Sequence, residues 1–287
     1  MIMSFVSPEP VNEPYRQTTS FSGSGSTTLE DDGATEKKIV PHPWSGVAPR
    51  IQMLFAEVGR LLRYVYTPSL ATTVPAQVET LLKSAKELEE ELLSADIPGP
   101  DDIVDTGDAR TSKQDFIIIA DVTRCSALLE IYRVFPNLLQ SRLGGGIPFA
   151  FGSSIEALDD FDYEAEPSRW LTSFAIYILE NLGKIPSSSG TRPLQLILLN
   201  VCANELRLSS VHASSADLGD VMAQNIQTYK SRSFVMSRLL ELSTRLPAKP
   251  VLKIIDLIKE VWRRSDLGEN LFWMEIMNQN GWQTVMG

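Results

Sequence analysis

Residues 249–282 read KPVLKIIDLIKEVWRRSDLGENLFWMEIMNQNGW, and this closing stretch decides the fold. Val251, Ile254, Ile255, Ile258, Val261 and Trp262 recur at helical spacing, which lines them along one face. Arg263-Arg264-Ser265-Asp266 then leads to a second, aromatic helix carrying Trp273. Pro247 and Pro250 separate the pair from the chain before it. Two helices with such faces must bury them against further apolar elements.

Working outward, the same periodicity fills the chain. Ile51, Leu54, Val58, Leu61 and Val65 predict a helix from near Trp44 to Tyr66. Pro68 and Pro75 bracket a break. A second helix follows, with Val78, Leu81, Leu82, Ala85, Leu88 and Leu92 inward and Glu87, Glu89, Glu90 and Glu91 mostly outward. Pro98-Gly99-Pro100 ends it. A third helix runs from Lys113 to Phe135, apolar over so wide a face that burial on several sides is expected. Pro136 stops it, and residues 137–143 form a short helix before Gly144-Gly145-Gly146.

Ser168, after Pro167, reads as the N-cap of a helix holding Leu171, Phe174, Ile178 and Leu182. Pro193 opens the next, with Leu194, Ile197, Leu198, Val201 and Cys202, ending near Arg207. A longer helix spans about 218 to 246. No alternating strand pattern occurs, and Phe149 to Phe151 is too short to count. The expectation is an all-α domain of eight to ten helices over residues 42–287. Residues 1–41, with QTTSFSGSGSTT at 17–28, have the composition of a disordered arm, because they hold too little apolar surface to offset the entropy of ordering.

Composition narrows the function classes. Hydrophobic residues make up 43% and charged residues 22% of 287, ordinary for a domain with a real core. No run approaches the roughly 20 apolar residues that span a bilayer. MIMSFVSPEP lacks a basic start and a sustained apolar core, so a secretory signal is not expected and the chain reads as intracellular. The net charge of −10 concentrates in 96–108 and 156–166, which hold acids and no base. The basic residues are dispersed, unlike the stripe that tracks a phosphate backbone. Cys125 and Cys202 lie far apart inside apolar patterns and read as core residues, so no metal knuckle forms.

Four blocks, taken in order, resemble the fungal-specific transcription factor domain, the helical regulatory region of fungal zinc-cluster regulators. They are His42-Pro43 with Gly46 and the helix after it; DVTRCSALLEIYRVF at 121–135; RPLQLILLNVCANELR at 192–207; and the closing stretch, with Arg238, Leu239 and Leu242 upstream of Glu260-Val261-Trp262, Arg264, Asp266 and Trp273. The order and spacing carry the resemblance, since no single block is specific. Two departures stand out. Thr191-Arg192 occupies the place where the family usually has Trp before Pro-Leu. The zinc cluster of such regulators needs six thiolates, and this chain has two cysteines.

The resemblance implies a nuclear regulator of transcription, with control of a metabolic or secondary-metabolite gene cluster as the finer expectation. Without its own zinc cluster the chain would bind no specific DNA and would work through a DNA-binding transcription factor or another protein. A natural variant, a truncated product and an excised fragment are all compatible with that. The alternative is a small-molecule-sensing or interaction domain with no role at promoters. Trp262, Trp273 and Trp282 form either a wall for a small hydrophobic effector or, as large aromatics at helical spacing usually do, plain core. Arg263 and Arg264 offer a partner surface, although a helix C-terminus favours cations regardless.

No enzyme, cofactor or metal site is expected. Leu158-Asp159-Asp160-Phe161-Asp162 misses the Asp-Asp-x-x-Asp spacing of terpene cyclases. Gly144-Gly145-Gly146 lacks the Lys-Ser/Thr and the strand of a phosphate loop. His42 and His212 have no nucleophile in an elbow context.

Overall fold

The computed structural model describes residues 38–42, 45–66, 75–144, 167–209 and 218–282. Among them run nine α-helices: α1 Pro49–Val65, α2 Pro75–Leu93, α3 Lys113–Val134, α4 Pro136–Gly144, α5 Pro167–Gly183, α6 Arg192–Asn204, α7 Leu218–Ser243, α8 Ala248–Asp266 and α9 Trp273–Gln279. A 3-10 turn covers Pro100–Asp102. No strand is present among the described residues, where the only extended pairings are two isolated bridges. The fold is all-α, as the periodicity requires.

Proline punctuates the chain more than glycine does. Pro49, Pro75, Pro136 and Pro167 each begin a helix, and Pro193 is the second residue of α6. Such positions suit proline, because the first N–H groups of a helix have no partner inside it. Ser112 caps α3, its hydroxyl accepting from the backbone N–H of Asp115 at 3.1 Å.

The core is organised around α3 and α6. Every residue from Cys125 to Tyr132 is buried, more than two full turns, so α3 is covered on all sides. It packs against α1, α2, α4, α5 and α6. Gln195 to Leu206 is likewise continuously buried, with α6 packed against α3, α5, α7 and α8. The remaining helices form the outer layer, each with one apolar stripe inward.

Several boundaries depart from the periodic reading. Helix α1 starts at Pro49 rather than near Trp44, which lies outside the described residues. Ahead of it His42 and Gly46 exchange backbone hydrogen bonds of 2.8 and 2.9 Å, a turn closed by the positive φ of Gly46. Ile39 pairs with the chain after the 3-10 turn, donating to Asp102 O at 2.7 Å and accepting from Val104 N at 2.9 Å. Ser168 is not a cap but a first-turn residue, because Pro167 already opens α5. Helices α6 and α7 end about a turn early, at Asn204 and Ser243. Pro250 does not separate α8 from α7; it sits in the first turn of α8, where a missing N–H costs nothing.

Two side chains of α2 reverse their expected positions. Val78 is 53% exposed, because the inward stripe outruns the helices that cover it. Glu89 is 2% exposed, since Tyr132 of α3 and Arg142 of α4 both reach it, at 2.8 Å each. The segment 156–166, Gly145, Gly146, the stretch 149–151 and His212 fall outside the described residues.

Burial of this kind sets measurable differences. Leu128→Ala in α3 or Leu198→Ala in α6 should cost about 2–5 kcal/mol in urea unfolding. Val78→Ala, read as core from sequence but exposed here, should stay within about 0.5 kcal/mol of wild type.

Candidate functional site

The end of α6 sets the local problem. The last carbonyls of a helix find no partner inside it, and here Ala203, Glu205 and Leu206 are buried away from water. Backbone N–H groups reach two of them, Leu206 N to Ala203 O at 3.3 Å and Arg207 N to Glu205 O at 2.8 Å, and three other helices add side-chain donors. Trp262 of α8 donates its indole N–H to Ala203 O at 2.8 Å. Thr172 of α5 donates its hydroxyl to Glu205 O at 2.7 Å. Arg232 of α7 donates Nε to Leu206 O at 2.9 Å. The same arginine pairs with both carboxylate oxygens of Asp266, at 2.7 and 2.8 Å, and stands 5.0 Å over the Trp262 ring.

Carboxylates crowd the same region. Glu205, 2% exposed, has Arg133 Nε at 3.3 Å and Arg207 Nε at 3.8 Å, and accepts from the Asn204 side-chain amide. Both arginines also donate to Asn270 Oδ1, Arg133 at 2.5 Å. Glu130, fully enclosed in α3, accepts from the indole N–H of Trp273 at 3.0 Å through Oε1. Its Oε2 has no hydrogen-bond partner among the described residues. Burial pushes the Glu130 carboxyl well above the usual carboxylate range, the negative charge of Glu205 adds to that, and the Trp273 bond and Arg133 oppose it. Glu130 therefore sits most comfortably as the neutral acid.

Helix α9 is also fastened to α8 and to the end of α1. Arg264 donates to Glu260 Oε1 at 2.8 Å and to Gln279 Oε1 at 2.6 Å, joining α8 to α9. Its bonds to Arg263 and Arg264 hold the Glu260 carboxyl down at about 2. Asn278 donates to Tyr66 O at the end of α1, at 3.2 Å, and the Tyr66 and Phe272 rings stack at 4.8 Å.

The residues singled out from the sequence thus occupy distinct places. Trp273 is 2% exposed and serves α3; Trp262 is half-buried and serves α6. Trp282 lies apart from both contacts, with Lys253 5.7 Å above its ring. The Arg264 side chain is 19% exposed and turned toward α9, whereas Arg263 is 57% exposed. Glu130, Glu205 and Arg232 were not singled out. An acid inside the otherwise apolar run CSALLEIY is the one local signal that could have marked Glu130.

Chemically the arrangement joins helices. Cys125 and Cys202 are free but buried, and burial raises both thiols, which leaves them protonated and poor nucleophiles. His42 accepts from Ser45 N at 3.3 Å within the first turn. Among the described residues no three His, Cys, Asp or Glu side chains group as a metal site. No helix among them is long and apolar enough to cross a membrane.

This geometry defines a helical scaffold in which Thr172, Glu205, Arg232, Trp262 and Asp266, distant in sequence, meet around one helix end, with Arg133 and Arg207 on the Glu205 carboxylate. The family model for the fungal specific transcription factor domain matches residues 4–287, and the chain belongs to that family. Membership places it in transcription regulation. No curated protein and no solved structure matches the chain.

The raised Glu130 carboxyl gives a signed pH dependence. A carboxyl whose folded pKa exceeds its unfolded value binds its proton more tightly when folded. Its destabilising share therefore grows as pH rises from the ordinary carboxylate range toward the folded pKa. Glu130→Gln keeps an acceptor for Trp273 and removes the titration. The variant should melt higher than wild type near neutral pH, with the difference shrinking in mildly acid buffer; equal melting at all pH values would show that Glu130 is not strained.

Proposed function

We propose that this chain is a regulatory unit that acts in the nucleus through protein contacts, with DNA read by a DNA-binding transcription factor or another module. The observation that carries the reading is the family match over residues 4–287. Two cysteines, both buried and free, leave this stretch of chain without the six thiolates of a two-zinc cluster. The same family match supports a non-enzymatic role. Control of a metabolic or secondary-metabolite gene cluster is the finer reading of the same family. In this proposal residues 42–287 are the regulatory domain and residues 1–41 an arm. Trp262, Arg264 and Trp273 affect regulation by holding α8 and α9 on α6 and α3.

Fusion of the full chain to an unrelated DNA-binding domain tests this at a reporter. Output should depart, up or down, from that of the binding domain alone, and unchanged output would overturn the regulatory reading. The unfused chain should show no competitor-resistant binding to candidate promoters at physiological salt. Trp262→Ala should lower both the melting temperature and the reporter effect; a variant unchanged in stability yet dead at the reporter would make Trp262 a contact for a ligand or partner.

A further inference from the structure

Helix α7 has two apolar faces. The inner one, with Val235, Leu239 and Leu242 fully buried, seats it on α5, α6 and α8. The outer one carries Met222, Ile226, Tyr229 and Leu240, which are 55%, 54%, 58% and 55% exposed, although an apolar side chain on a solvent face gains nothing. With exposed Ser233 and half-buried Met236, they fall at residues 222, 226, 229, 233, 236 and 240. Those steps alternate four and three, and at about 100° per residue all six lie on one side of the helix. Steps that average 3.5 make a coiled-coil seam, whose complement is another helix with the same spacing. The seam is also poor in charge. Between residues 221 and 240 the basic side chains are Lys230, Arg232 and Arg238; Arg232 and Arg238 are buried on the inner side, which leaves Lys230.

We propose that this face is a homodimer interface, with α7 of one copy lying antiparallel across α7 of a second copy. The seam is symmetric about Ser231, so a two-fold axis there sets Met222 opposite Leu240, Ile226 opposite Met236, and Tyr229 opposite Ser233 of the second copy. The largest side chain of the seam then meets its smallest. A parallel pairing would stack Tyr229 on Tyr229 and leave a void between two serines, a clash followed by a hole. The seam is about 27 Å long at 1.5 Å per residue, so the contact is small among specific interfaces and a micromolar dimer is expected. The two-fold also brings the two Lys230 side chains to the same shoulder near its centre, where like charges repel and salt screens them. Added salt should therefore tighten the dimer, as should Lys230→Ala.

Dimerisation holds or fails independently of the reporter experiment above. Sedimentation of the full chain over a wide concentration range should show a reversible monomer–dimer equilibrium. The double variant Ile226→Glu/Tyr229→Glu should be monomeric with an unchanged melting curve, because both residues are exposed. Cys125 and Cys202 are buried, so introduced cysteines report cleanly. An oxidised mixture of Met222→Cys and Leu240→Cys chains should yield disulfide-linked heterodimers. Cross-linking of Met222→Cys to itself would mean a parallel pair, and a chain monomeric at every concentration would leave the seam to a different partner helix; either result overturns the proposal.

Discussion

The carbonyls at the end of α6 impose the constraint on which the rest of the structure depends. A helix that terminates in the interior leaves acceptors that water cannot reach, and each unmet one costs about 1–3 kcal/mol. Here Trp262, Thr172 and Arg232 reach them from three different helices, beside the backbone N–H groups of Leu206 and Arg207. The same solution recurs at other helix ends. Arg124 donates to Ala95 O beyond α2, Arg238 to Ile185 O beyond α5, and Asn278 to Tyr66 O beyond α1. Cations suit these places doubly, because a helix C-terminus carries partial negative charge. Most of the donors come from α7, α8 and α9, so the chain from α7 onward completes helices formed before it.

The buried carboxylates follow from that geometry rather than from a need for stability. Enclosing Glu205 removes it from water, and Arg133 and Arg207 return only part of what solvation gave. An apolar residue of similar volume would serve packing as well. What the pair adds is directional: Arg133 from α3, Arg207 after α6 and Asn270 before α9 agree in one arrangement of the three elements. Glu89, with Tyr132 and Arg142, does the same for α2, α3 and α4. Apolar stripes slide against one another at little cost, whereas a charged side chain in the interior tolerates one register.

Helical periodicity made most of the architecture legible. The stripe from Val251 to Val261 is buried as spaced, and the near-continuous apolar run of α3 does mark the central helix. Periodicity reports a face, however, and not what covers it. Val78 continues the stripe of α2 into solvent, while Glu89, one step off that stripe, is claimed by two neighbours. The helix end at Asn204 was equally hidden, because Glu205-Leu206-Arg207 continues the helical pattern in sequence while its carbonyls are taken by side chains from elsewhere. Of the polar centre, the tryptophans stood out by size alone. Glu130 and Glu205 gained meaning only when α3, α6 and α9 came together.

One consequence concerns α7. Arg232 and Arg238, which close the ends of α6 and α5, sit on the inner side of the helix whose outer side bears the seam from Met222 to Leu240. A helix is stiff along its length, so a load on the outer face is transmitted to both arginines together. Arg232 in turn links Asp266 and the Trp262 ring. A displacement of α7 by about 1 Å would stretch the 2.9 Å bond to Leu206 O beyond useful hydrogen-bond length. A hydrogen bond weakens steeply as it lengthens, so a contact that moved α7 from its outer face would be felt at the end of α6. In a domain of a transcription-factor family, coupling of that kind is a physical form that regulation can take.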